Sequence, residues 1–156
     1  MSAMYPMMLS IHSGMRWLVL ISLIYTIIRA YSGFNKNLEY GKLDGIAKTV
    51  TVIMAHLQLI IGFGIYFMSP FVKSILHPVV GINPYNENSI FYAFIHPIAM
   101  IGSIVAITIG SAKARRMELD SAKFRVILVW FGIGLFLALV LIPWSFYPIV
   151  GRPFIR

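Results

Sequence analysis

Four long apolar runs divide the chain, over residues 8–31, 48–69, 89–112 and 124–148, and polar connections separate them. Crossing the hydrocarbon of a bilayer takes about 20 mostly apolar residues in a helix, and each run meets that length. No fifth run does. The pattern predicts an all-α integral membrane protein: one four-helix transmembrane bundle, a single domain over residues 1–156. The first run has no basic stretch before it and continues past the length of a signal-peptide core, so it reads as a retained helix. The connections, roughly 16 to 19 residues at the longest, leave no room for a soluble domain. Between the second and third runs lie Pro78, Pro84 and the stretch Gly81-Ile82-Asn83-Pro84. Apolar residues at 71, 72, 75, 76, 79 and 80 predict a short helix in the membrane interface there, broken by Pro78.

Charge orients the bundle. Arg29, Lys36, Lys42 and Lys48 flank or fill the first connection, and Lys113, Arg115, Arg116, Lys123 and Arg125 the third; together these are nine of the 13 basic residues. The opposite side has Lys73, Arg152 and Arg156. By the positive-inside rule the two basic connections face inward and both termini outward. Trp144, Tyr147, Tyr85 and Tyr92 then fall near the outer surface as an aromatic belt.

Composition agrees and excludes much. Hydrophobic residues make up 59% of the chain and charged ones 12%, with a mean hydropathy of +0.83. A water-soluble globule this small cannot bury so much apolar surface. The net charge of +8 would point to nucleic acid in a soluble domain, but basic loops beside one leaflet account for it, so no nucleic-acid partner is expected. With no cysteine, disulfides, thiolate metal sites and cysteine nucleophiles are excluded. The five acids, Glu39, Asp44, Glu87, Glu118 and Asp120, all lie in connections, which argues against hydrolysis or phosphoryl transfer within the membrane.

The ionisable residues left within the spans carry the chemistry, since a polar group at membrane depth is costly and marks function. They are Arg16 and three histidines, one on each of the first three helices: His12, His56 and His96. At 100° per residue, His12 shares a face with Arg16, Val19, Leu23, Thr26 and Ala30. His96 shares one with Ser89, Tyr92, Met100, Ser103 and Gly110, and His56 one with Thr49, Val52, Ile60, Phe63 and Phe67. At about 1.5 Å per residue, His12 sits roughly 8 Å below the outer surface, His96 roughly 11 Å and His56 roughly 21 Å. His12 and His96 are therefore the level pair.

Two level imidazoles on facing helices, within apolar walls, are what a b-type haem needs. The first-choice axial ligands are His12 and His96, with His56 the substitute should helix tilt close the gap. Arg16, one turn from His12, suits a haem propionate, although snorkelling to headgroups is the alternative. Gly62, Gly64, Gly132 and Gly134 offer room for a ring edge. Pro97, following His96, deprives the carbonyl of Ala93 of its helical donor. Met68 and Met100 are secondary iron-ligand candidates, and His77 reads as a solvated loop residue. Two rival readings stay open. One is a cofactor-free accessory subunit whose histidines bond between helices; the other is a proton or quinone site built on His56 and Gln58.

Several short motifs carry a resemblance. His12-Ser13-Gly14-Met15-Arg16-Trp17 opens the first helix, His56-Leu57-Gln58 lies in the second, and His96-Pro97 in the third. With Tyr66-Phe67-Met68-Ser69-Pro70 at the end of the second helix, they make nearly the whole chain resemble a family of small bacterial four-helix membrane proteins labelled cytochrome b. The resemblance implies haem b and electron transfer in a bacterial inner membrane, whose periplasmic side the termini face by the charge rule. It favours roles for His12, Arg16, His56 and His96 together. It also implies a respiratory membrane but no particular reaction. The expected partners are the lipid bilayer, quinol or quinone, and other membrane subunits or a second copy.

Overall fold

The structure, a computed structural model, describes residues 4–79 and 83–144, and among these it holds helices and no strand. In chain order the elements are α1 (Met4–Asn35), α2 (Lys42–Met68), α3 (Pro70–Leu76), α4 (Glu87–Ile90), a π-helical turn (Phe91–Ile95), α5 (His96–Arg116) and α6 (Asp120–Leu141). Four spans, Met4–Asn35, Lys42–Met68, Glu87–Arg116 and Asp120–Leu141, are long and apolar enough to cross a membrane. The protein has the make-up of a multi-pass membrane protein.

The helix ends follow from local chemistry. α1 closes in a Schellman turn: Leu38 N–H donates to the Gly33 carbonyl at 3.0 Å, and Asn37 takes the left-handed conformation (φ 49°) this turn requires. Gly41 caps α2, and its N–H donates to the Asp44 carboxylate at 3.0 Å. Asp44 also accepts from Arg29 Nε at 2.8 Å, tying the first turn of α2 to α1. Ser69 is extended (ψ 128°), as the residue before Pro70 must be, and Pro70 then starts α3. α3 ends at Leu76, before Pro78, as the sequence predicts.

The fourth span departs from expectation: α6 stops at Leu141, short of residue 148. Ile142 has ψ 133°, the conformation imposed by the ring of Pro143. Trp144 Nε1 then donates back to the Leu139 carbonyl at 2.8 Å. Residues 145–148 of the expected span lie outside the described residues, as do Tyr147, Arg152, Arg156, position 80 of the interfacial pattern and the Gly81-Ile82 part of the loop.

α5 packs against α6 most extensively, α1 packs against both α2 and α6, and α2 meets α5 more sparsely, closing a four-helix ring. Its core holds Leu23, Ile107, Phe124, Ile127 and Phe131. Small residues allow the close approaches. A Cβ on Gly134 would stand 2.7 Å from Ile107 and 3.1 Å from the Ser103 carbonyl, and one on Gly110 would stand 2.5 Å from the Trp130 side chain. Ser103 Oγ donates to the Gly134 carbonyl at 2.7 Å. Thr26 and Thr51 pair across α1 and α2 at 2.9 Å. The outer surface is apolar, with Ile21, Ile60, Phe67, Ile98 and Phe136 each more than 60% exposed. That surface suits lipid contact. The two basic connections share one end of the bundle, where Tyr40 packs on Phe124.

Candidate functional site: a two-histidine cavity

Between the four spans, toward the end opposite the basic connections, lies a cavity of about 190 Å³. That is roughly a dozen times the space one water needs. Leu23, Leu59, Ile104, Ile107, Ala138 and Ile142 are among the apolar side chains that wall it. The polar groups on its surface include His12, Arg16, Gln58, Tyr92 and His96. Two of the three membrane histidines thus face one space, across α1 and α5.

His96 is held firmly. Its Nδ1–H donates to the Leu141 carbonyl at 2.9 Å. Because a carbonyl can only accept, the neutral ring carries its proton on Nδ1 and its lone pair on Nε2. α6 ends at Leu141, so this carbonyl is one of those left without a helical donor. The ring lies near-parallel to Phe91 with centroids 5.9 Å apart and meets Tyr92 edge-on at 6.5 Å. The backbone before it is a π turn, in which the His96 N–H reaches the Phe91 carbonyl five residues back. Pro97 explains the widening: it has no N–H for the Ala93 carbonyl and its ring crowds that group. The Tyr66 hydroxyl donates to the Ala93 carbonyl instead, at 3.2 Å.

His12 is held differently. Its ring lies against Gly62, where a Cβ would stand 3.2 Å from Cε1 and 3.8 Å from Nδ1. Nδ1 is buried and has no hydrogen-bond partner among the described residues. The Gln58 side-chain amide donates to the His12 backbone carbonyl at 2.9 Å, while Gln58 Oε1 stays buried without a partner. Electrostatically, His12 is within reach of both His96 and Arg16. The Arg16 guanidinium lies 5.3 Å from the Trp17 ring and 5.7 Å from the Trp144 ring, at distances where cation–π attraction operates.

Other expected residues are placed elsewhere. His56 does not line the cavity; its Nδ1 donates to the Val52 carbonyl of its own helix at 2.8 Å. It stands about 9 Å along α2 from Gly62, and its stripe-mates Ile60 and Phe67 point outward. His77 caps α3 and is exposed. Met100 reaches the cavity and Met68 does not. Of the four glycines expected to make room for a ring, only Gly62 borders the space. The slot beside Gly64 is taken by Met8, that beside Gly134 by Ile107, and Gly132 meets nothing within 4 Å. Tyr92, on the face predicted to hold His96, lines the cavity and stacks on Phe71 at 5.3 Å.

Among the described residues no group of three or more histidines and carboxylates gathers to hold a bare metal ion. An iron that brings four porphyrin nitrogens requires only two axial ligands. His12 and His96 offer two, with a cation, Arg16, beside them in an apolar cavity. The donor set fits a haem. The volume is below the about 300–1,000 Å³ usual for cofactor pockets, so the walls would have to part to admit a macrocycle. No family model, curated protein or solved structure matches the chain.

Proposed function

We propose that this protein is a membrane cytochrome of the b type, binding one haem between His12 and His96 in the outer half of the bilayer. The single observation that carries the reading is the convergence of these two imidazoles, 84 positions apart in sequence, on one apolar cavity. Haem supplies one-electron exchange when bound. The chain's own residues do the rest. His96 offers Nε2, its tautomer held by the Leu141 carbonyl. His12 offers the second nitrogen from the facing helix, and Arg16, steadied by two indoles, is the partner for a propionate. The apolar walls exclude water and keep the charge of the site low.

The basic connections face inward and the termini outward in this reading. It makes the protein an electron-transfer component of a bacterial inner membrane, exchanging with quinol or an outer-face acceptor and working beside other membrane subunits or a second copy. His56, bonded within its own helix, has no part in the ligation.

Reduced-minus-oxidised spectra of the purified protein test the proposal. Soret and α bands of a low-spin b haem are expected, and their absence after haem loading refutes it. His12→Ala and His96→Ala each abolish the low-spin spectrum. Its survival in either moves the ligand role to His56.

A further inference from the structure

The two histidines are not equivalent. His96 has its outer nitrogen bonded to α6, its ring flanked by two aromatics and its backbone set by a π turn and Pro97. His12 has none of this. Its Nδ1 is buried without a partner among the described residues, and so is Oε1 of Gln58, whose amide grips the His12 carbonyl. A ligating histidine ordinarily donates its second N–H to a carbonyl, carboxylate or water, which fixes the ring and makes the other nitrogen more basic; losing that partner weakens metal affinity about 10–100-fold. Ligation through His12 Nε2 would leave a buried Nδ1–H without an acceptor among the described residues, whereas ligation through His96 Nε2 would use a proton already placed.

Resting on the haem reading, we infer that His96 is the permanent axial ligand and His12 the exchangeable one, so that the cavity is also a binding site for a small neutral two-atom ligand such as carbon monoxide. Exchange needs no oxidant or reductant. With a ferrous haem bound, His12 would give up its place at Nε2, keeping its lone pair and its Nδ1 proton, and the incoming ligand would supply the lone pair that replaces it. The walls suit such a guest in being mainly apolar.

The test is carbon monoxide titration of the dithionite-reduced, haem-loaded protein in detergent, followed in the Soret region. The unaltered protein is expected to bind the gas, with a rate that levels off at high gas concentration because departure of His12 becomes limiting. His12→Gly should keep its haem in a high-spin form, bind carbon monoxide at least 10-fold more tightly, and regain a low-spin spectrum with added imidazole. His96→Gly should lose at least 10-fold in haem affinity. A Soret band that saturating carbon monoxide leaves unchanged in the unaltered protein overturns the inference, even if both variants misfold. So does equal haem loss in two folded variants. No Soret band in any sample refutes the haem reading itself, a separate outcome.

Discussion

Removing the Tyr66 hydroxyl tests how the helix carrying His96 is built. Tyr66 donates to the Ala93 carbonyl at 3.2 Å, and Ala93 is 4% exposed, so no bulk water replaces the lost donor in Tyr66→Phe. A buried acceptor left without a partner costs about 1–3 kcal/mol. The bond is longer than the roughly 2.7–2.8 Å typical of O–H···O, and side-chain hydrogen bonds in membrane bundles average about 0.6 kcal/mol. The expected loss is therefore about 1 kcal/mol. The dependence on Tyr66 exists because Pro97 has no N–H. In a Pro97→Ala background the new N–H can reach the Ala93 carbonyl, and the same Tyr66→Phe change should cost less than about 0.3 kcal/mol, a coupling of about 0.7 kcal/mol between the two sites. Unfolding in mixed detergent and dodecyl sulfate micelles, followed by far-ultraviolet circular dichroism on all four variants, measures it. An equal cost in both backgrounds, or none in either, refutes the account of the π turn.

Further predictions concern packing, the His12 wall and pH. Gly134→Ala places a methyl 2.7 Å from Ile107 and should destabilise the α5–α6 pair by about 1–3 kcal/mol. Gly132→Ala, with nothing within 4 Å, should be neutral or stabilising by up to about 1 kcal/mol; the same unfolding assay separates them. Gly62→Ala sets a methyl 3.2 Å from His12 Cε1 and should lower haem affinity while changing haem-free stability by less than about 0.5 kcal/mol. Equal haem affinities for the variant and the parent would contradict that contact. Burial, and next the Asp44 carboxylate, push the Tyr40 hydroxyl up to about 12. Above the unfolded value of about 10 the unfolded chain releases this proton and the folded chain keeps it. The stabilisation is complete below pH 10 and is lost as pH rises toward 12. Tyr40→Phe should flatten that part of the stability profile, measured by thermal melts from pH 9 to 12.

Much of this arrangement was legible along the chain. Every span and the short helix before Pro78 followed from apolar runs and proline positions. The inward faces of α1 and α5 followed from helical periodicity: Leu23, Thr26 and Ala30 beyond His12 are buried, as are Ser89 and Ser103 flanking His96. The reach of the fourth helix was overestimated because Pro143 ends it through its neighbour's backbone, a local rule that hydrophobicity alone conceals. Three bonds that shape the site had only partial signals. Pro97 marks the Ala93 carbonyl as needing a donor but does not say that Tyr66 supplies it. The end of α6 leaves carbonyls open but does not say that His96 takes one. Gln58 is a polar residue in a span, with no mark that it grips the backbone of His12.

What the sequence by itself determined is a property of each residue singly. Transfer from water to lipid is close to additive, so the number of spans, their approximate places and the side bearing the basic residues can be read one position at a time. Which histidines share a space is a property of pairs. It depends on how far each helix is rotated about its axis and slid along its neighbour. Those quantities are set by contacts between distant segments: Gly134 against Ile107, Gly110 against Trp130, Gly62 against the ring of His12. Rotating α2 would carry His56 toward the cavity without changing a single hydropathy value. Helix depth marked His12 and His96 as the level pair, but only the tertiary structure decided that both line one cavity without His56, and that one ring is bonded from behind while the other is not.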